Sequence, residues 1–151
     1  MKDNSKDEPQ TDAIYPGDTA EALEIIDLAE AYRMAAETLF EHGQKGQRLT
    51  YAPARFCAIH ATELYLNAFL RHQGEQNCDI RARRHNIDDS EFVKTLKLRK
   101  KTGQHLTEMT ERREYLISRY APDLASQHTE LNRLQATLKE VSEKMACFMR
   151  D

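Results

Sequence analysis

The chain has 151 residues, a formal net charge of −3, and 31% charged side chains beside 40% hydrophobic ones. This length fits one domain with a single core, and the charge argues against a strongly basic nucleic-acid binder without excluding a local basic surface. No run of about 18 uncharged apolar residues occurs, so we expect no transmembrane helix. Three widely spaced cysteines without a CxxC pair support neither structural zinc nor disulfides, and we expect a cytoplasmic protein without metal or cofactor.

The N-terminal residues are polar and carry mixed charges, so we expect a disordered tail over 1–17 ahead of one domain over 18–151. The stretch MKDNSKDEPQTD has no apolar core, which argues against a secretory signal. A first helix is predicted after Gly17, with Asp18 or Thr19 as its cap. Its apolar residues recur at steps of three and four: Ala22, Ile25, Ala29, Tyr32, Ala36 and Leu39.

The second predicted helix, Pro53–His72, is apolar on nearly every side and stops before Gly74. Such a helix is typical of the central member of a bundle. Glu63 lies in its middle, where an unpaired carboxylate is costly, so we expect it to have a partner. The long connection that follows, EQNCDIRARRHNIDD, has no sustained period. We expect His85 to tie this connection to a helix end or to Glu63.

Two further helices complete an all-α, four-helix-type up-and-down bundle. The third is predicted over Glu91–Glu111, with Gly103 as an interruption, and EYLISRY either continues it or forms a separate turn before Pro122. The last helix is predicted over about Asp123–Arg150. Its apolar stripe favours core packing, with a dimer seam as the alternative: Leu131, Leu134, Leu138, Val141, Met145 and Phe148.

Three segments resemble HEPN domains, a family of small helical proteins. ATELYLNAFL in helix two is similar to the family's alanine–glutamate–leucine–lysine–leucine signature, although Asn67 stands where lysine is frequent. RARRHNI resembles the family's short histidine-containing turn, and RREYLISRYAP resembles its RYP-type segment, with Ala121 as an extra residue. The resemblance spans roughly Thr19–Arg150 and implies a HEPN-like bundle. It implies structural roles for Glu63, His85, Arg119 and Tyr120.

The family includes metal-independent ribonucleases, toxin partners of small nucleotidyltransferases, and members without known chemistry. Its ribonucleases carry an arginine followed after four to six residues by a histidine, and two such motifs usually meet in a dimer cleft. Arg55–His60 and Arg99–His105 both have this spacing. About two such matches are expected by chance in a chain of this composition, so their number alone is no evidence for a ribonuclease. We interpret the first as accidental, because it lies in the most apolar helix. The second lies in a lysine-rich stretch, which equally fits a solvated helix face.

Our leading prediction is a non-catalytic interaction module that acts as a homodimer or with a partner such as a nucleotidyltransferase-type antitoxin. RNA or nucleotide phosphate is the expected ligand, bound by basic residues that include Arg81, Arg83, Arg84, Lys97, Lys100 and Lys101. The alternative is a ribonuclease in which Arg99 stabilises a phosphorane and His105 moves a proton. A purely structural accessory domain is the third possibility.

Overall fold

The computed structural model describes residues 14–151, and this part of the chain is all-helical. Its α-helices are α1 Ala22–His42, α2 Ala52–His72, α3 Asn77–Arg81, α4 Ser90–Thr95, α5 Lys100–Glu111, α6 Glu114–Tyr120 and α7 Leu131–Phe148. Short 3₁₀ turns occupy Arg48–Tyr51 and Pro122–Gln127. Most of the predicted disordered tail lies outside the described residues. Its last residues, 14–17, lead into a turn in which the Asp18 N–H donates to the Tyr15 carbonyl.

Helix α2 lies at the centre of the molecule, as its composition predicts. It packs against α1, α6 and α7, and its side chains Tyr65, Leu66 and Phe69 are each 1% exposed. Burying a large apolar side chain contributes about 1.5–3 kcal/mol, so this helix carries much of the core's stabilisation. The helix ends at His72, as predicted, and the φ of +97° at Gly74 permits two closing hydrogen bonds just beyond it.

Helix α1 begins later than its predicted cap. Glu21 is the N-cap residue, and its backbone N–H donates to Glu24 Oε2 at 2.8 Å in a capping box. The predicted cap Asp18 instead forms an ion pair with Arg81. This pair links the turn before α1 to α3. The first helix is therefore confirmed, and its cap is corrected.

The predicted third helix is broken between α4 and α5. The break lies at Lys97, whose φ of +52° ends α4 while the Leu98 N–H donates to the Val93 carbonyl at 2.9 Å. A left-handed residue at a helix end is usually glycine. Because lysine occupies this position, the sequence gives no sign that the helix ends here. Gly103 lies inside α5, where an added Cβ would come 3.3 Å from Val93. This glycine therefore allows close helix packing and does not interrupt the helix.

EYLISRY forms the separate helix α6, because Arg113 has a φ of +53° and ends the path of α5. The last helix begins at Leu131 and not at Asp123. The intervening chain forms the Pro122–Gln127 turn and then brings Thr129 to the buried carboxylate of Glu114. The stripe of α7 lies in the core, as expected, with these members buried: Leu134, Leu138, Val141 and Met145. No described helix is long and apolar enough to cross a membrane.

Candidate functional site

The predicted catalytic pair does not form an accessible site. Arg99 is the exposed N-cap of α5, and its backbone N–H donates to Glu140 at 2.7 Å. His105 is only 2% exposed, and its Nδ1 and Nε2 each lie 2.7 Å from a hydroxyl, those of Thr137 and Thr129. A general base must reach the proton that it takes. The catalytic hypothesis required an exposed histidine facing Arg99, and the enclosed His105 ring does not meet that requirement.

The predicted phosphate-binding arginines are mostly engaged with the protein itself. Arg81 pairs with Asp18, and its guanidinium lies 3.8 Å over the Tyr15 ring. Arg83 pairs with Asp89 at 3.1 Å, whereas Arg84 is exposed with a φ of +51°. The basic residues of the α4–α5 corner and α5 are all exposed, as on a solvated helix face: Lys97, Lys100 and Lys101. Arg81, Arg83 and Arg84 line one hollow of about 420 Å³, but the charges of Arg81 and Arg83 are paired there with Asp18 and Asp89.

The expected partner of Glu63 is present. His85 Nδ1 lies 2.9 Å from Glu63 Oε1, and the His85 ring packs on Tyr115 with 4.8 Å between ring centres. The contact ties the connection after α2 back to that helix, which confirms the role predicted for His85. The Glu63 side chain is 15% exposed, so its charge is paired near the surface and is not stranded in the core.

A groove formed by other residues has more of the features of a ligand-binding site. It runs over the first turns of α2, between α6 and the Pro122–Gln127 turn, and consists of three adjoining hollows of about 580, 260 and 290 Å³. We call it the α2–α6 groove. The residues that define it are Arg48, Phe56, His60, Arg119, Tyr120 and His128.

Flat side chains are stacked along the first hollow. The Arg119 guanidinium lies 4.6 Å over the Phe56 ring, and the Phe56 and His60 rings are parallel within 2° at 6.0 Å. His60 meets Tyr32 edge to face at 4.5 Å. Phe56 and His60 are four residues apart on α2 and so share one helix face. Tyr120, beside this stack, is 74% exposed, although an aromatic ring normally gains by burial.

The groove is locally basic in a chain of negative net charge. Arg48, Arg55 and Arg119 line it, and Glu130 is the one carboxylate among the lining residues of the described chain. Both histidines are neutral at pH 7, because burial lowers the pKa of His60 and holds that of His128 at about 4. The groove therefore attracts anions even though the whole molecule does not.

Three residues that line the groove each carry a buried nitrogen atom without a hydrogen-bond partner among the described residues. Within residues 14–151, Arg55 Nη1, His60 Nδ1 and His128 Nε2 are enclosed but make no hydrogen bond. An unsatisfied buried polar group costs about 1–3 kcal/mol, so such groups are rare unless water or a ligand completes them. Two further atoms of this kind, Arg83 Nε and Arg133 Nε, belong to residues outside the groove, so the groove residues carry three of the five in the described chain. This share favours the groove as a surface for a polar ligand.

A buried hydrogen-bonded chain supports the floor of the groove. Glu114 is fully buried and accepts from both the backbone N–H and the hydroxyl of Thr129. Because the Thr129 hydroxyl donates to Glu114, it accepts from His105 Nε2–H, and His105 Nδ1 accepts from Thr137. Burial, aided by Arg133 and Arg55, holds the pKa of His105 at about 4. This neutral His105 is a structural support that fixes the segment carrying His128.

Burial raises the pKa of Glu114, while its bonds from Thr129 and the nearby charge of Arg55 act in the opposite direction. Glu114 therefore lies within the electrostatic reach of Arg55, although no ion pair joins them in the described structure. The arginine is left to face the groove.

Sequence reasoning missed most of this site. Arg48, Tyr51 and His128 carry no sequence motif, and Arg55 belongs to the Arg55–His60 match that we interpret as accidental. The RYAP segment implies structural roles for Arg119 and Tyr120, yet both side chains are exposed. The one available signal was that segment, because it places a guanidinium beside an aromatic ring.

The chain matches no family model, no curated protein and no solved structure. Residues 14–151 contain no group of three histidine, cysteine or carboxylate side chains arranged to hold a metal ion. The geometry itself defines the class of site, which is a basic groove lined with flat side chains on an all-helical protein.

Proposed function

We propose that the protein is a HEPN-like helical interaction module that binds single-stranded RNA in the α2–α6 groove. The observation that carries the proposal is the stack of Arg119, Phe56 and His60 beside the exposed ring of Tyr120. Flat aromatic and guanidinium faces are the platforms on which unpaired bases stack.

The charge of the groove supports the same ligand. Arg48 and Arg119 lie near the opening, where they can follow a phosphate backbone through charge and bidentate hydrogen bonds. Paired bases hide their faces inside a duplex, so a stacking surface selects single strands. Arg81 and Arg83 do not offer a free charge for a phosphate backbone, because each is already paired with an aspartate.

The HEPN-like assignment rests on the three resembling segments and on contacts that relate them. Glu63 and His85 come from the first two segments and bind each other, while the third segment supplies Arg119 and Tyr120 to the groove. We extend the proposal to a four-helix HEPN-like arrangement and to a homodimer, the usual state in the family. Light scattering coupled to gel filtration tests the dimer, and a monomeric mass at micromolar concentration contradicts it.

Fluorescence anisotropy with a labelled single-stranded RNA of about 12 nucleotides, within the range of known single-strand sites, tests the function. Loss of one stacked base contact costs about 1–3 kcal/mol, so Tyr120→Ala should weaken binding about 5- to 150-fold. Tyr120 is exposed, so this variant should fold normally. Affinity should also fall steeply with added salt.

Lys101→Ala and Arg99→Ala are matched controls, because they remove a positive charge from the exposed start of α5. Each should change the affinity by less than about threefold, the scale of one screened surface charge. Absence of RNA binding contradicts the proposal. So does a loss of affinity in the α5 variants that equals the loss in Tyr120→Ala.

A further inference from the structure

One end of the α2–α6 groove is a distinct hollow of about 290 Å³. The Arg48–Tyr51 turn, the first turns of α2 and the segment leading into α7 enclose it. Two of the unpartnered buried nitrogens, Arg55 Nη1 and His128 Nε2, belong to residues that line this single hollow. The lining of the hollow therefore includes two residues whose buried nitrogen atoms have no partner within the described chain.

The Arg55 side chain indicates which charge a ligand in this hollow would carry. The residue is 8% exposed and makes no hydrogen bond to the described chain, while burial lowers the pKa of its guanidinium. A buried cation without an acceptor is strongly unfavourable. The planar guanidinium offers paired N–H donors that match the oxygens of a phosphate or carboxylate. An oxyanion is the group that satisfies it.

His128 restricts the oxyanion further. Its Nδ1 lies 3.1 Å from the Ala125 carbonyl and must donate to it, so Nε2 of the neutral ring is an acceptor. The ligand must then bring an O–H group as well as an anionic oxygen. A phosphate monoester does both in its monoanionic form, which predominates below its second pKa of about 6 and is a minority form at pH 7. An internal phosphodiester has no P–OH group.

The position of Arg55 also favours a chain end. An internal phosphodiester carries substituents on two sides, and a guanidinium this deeply buried is better reached by a terminal group. Arg48 lies at the rim and adds a second positive charge. Glu130 also lines the hollow and opposes an anion, but it is exposed to water, which weakens its effect.

We propose that Arg55, His128 and Arg48 form a subsite for a terminal phosphate monoester, so that the groove binds RNA by a phosphorylated end. This inference rests on the proposed function for its RNA. The subsite itself has an independent test with a mononucleotide. A free 5′-phosphate and a free 3′-phosphate have the same chemistry here, and separate RNA probes distinguish them.

The first test compares one RNA sequence with a 5′-phosphate, a 3′-phosphate or hydroxyls at both ends. A charged hydrogen-bonded contact should make one phosphorylated probe bind about tenfold or more tightly than the hydroxyl-ended one. His128→Gln should reduce this preference. Arg48→Ala should also reduce it, and should weaken the hydroxyl-ended RNA as well, because Arg48 contacts the phosphate backbone in the proposed complex. Lys101→Ala should leave it unchanged. Arg55→Met, which keeps the buried stem, should abolish it if thermal unfolding shows a folded protein.

The second test titrates adenosine 5′- and 3′-monophosphate, with adenosine as the uncharged control, and follows amide NMR signals of residues 48–55 and 125–131. Saturable shifts from a monophosphate but not adenosine support the subsite, even if no RNA binds and the proposed function fails. RNA binding without a preference for phosphorylated ends overturns the subsite and leaves the proposed function standing. Absence of both RNA and monophosphate binding overturns both.

Discussion

The Arg119 guanidinium lies 4.6 Å over the Phe56 ring and joins α6 to the first turns of α2. The contact places a positive charge over Phe56, whose ring is parallel to that of His60 within 2°. A cation placed over an aromatic face is stabilised by the ring quadrupole even where water has access. The pair therefore fixes the geometry of the groove and supplies its charge.

Arg119→Lys tests whether the flat guanidinium group or only its positive charge contributes to RNA binding. Lysine keeps the positive charge but offers no flat face, so RNA affinity should fall while the salt dependence of binding stays near that of the wild type. Arg119→Ala removes both and should also reduce the slope of log affinity against log salt by about 1. Anisotropy titrations over a salt series measure both quantities. Equal affinities for Arg119→Lys and the wild type would show that stacking on Arg119 is unimportant.

His105 should remain neutral well below pH 6. Its pKa is lowered from 6.5 to about 4 by burial, with Arg133 and Arg55 adding to the effect. Nitrogen chemical shifts should show Nε2 protonated and Nδ1 unprotonated at pH 6, as its hydrogen-bonded chain requires. A ring that titrates near pH 6.5 would contradict this arrangement.

The same shift predicts a pH dependence of stability. The unfolded state takes up a proton on His105 below pH 6.5, whereas the folded state does so only near pH 4. The contribution is therefore fully present above pH 6.5 and is lost as the pH falls towards 4, by up to about 3 kcal/mol. Between pH 7 and pH 4, His105→Gln should lose less unfolding free energy than the wild type, as urea denaturation can measure. Parallel losses in the two proteins would contradict the shift.

Lys97→Gly should stabilise the fold. Lys97 adopts a φ of +52° at the end of α4, a conformation that costs an L-residue about 1–2 kcal/mol and glycine little. After the entropy cost of glycine, we expect a gain of about 0.5–1 kcal/mol in unfolding free energy. Lys101→Gly, inside α5, should instead lose about 1 kcal/mol. Chemical denaturation compares the two, and a loss in both variants would contradict the helix-end geometry.

Glu63→Gln and Glu63→Leu test the tie between α2 and the connection after it. Glutamine can still accept from the His85 Nδ1–H group, so its loss of unfolding free energy should stay below about 1 kcal/mol. Leucine leaves His85 without an acceptor and frees a connection in which Arg84 and His85 both have positive φ, so its cost should be larger, about 1–2 kcal/mol. A leucine variant more stable than the wild type would mean that the charge of Glu63 is merely tolerated.

Local patterning predicts the long helices of this protein well, because α1, α2 and α7 each bury a regular apolar surface. It fails at Lys97 and Arg113, which adopt left-handed backbone without the glycine that usually marks it. The start of α7 was also missed, because it depends on Thr129 reaching Glu114 across the fold.

The candidate groove is harder to predict for the same physical reason. Arg48, Arg55, Arg119 and His128 come from separate segments that only tertiary packing brings together. The lysine-rich stretch is easily recognised in the sequence because its charges are adjacent in the chain. Adjacent charges on an exposed helix face outward, whereas a binding groove needs charges that converge.

The most direct measurement of the central claim is a map of amide chemical-shift changes when single-stranded RNA is added to the labelled protein. If RNA binds in the α2–α6 groove, the largest changes should cluster in residues 48–60 and 117–128, and residues 97–105 should change little. Changes concentrated at Lys97, Lys100 and Lys101, with residues 48–60 and 117–128 unaffected, would contradict binding in this groove.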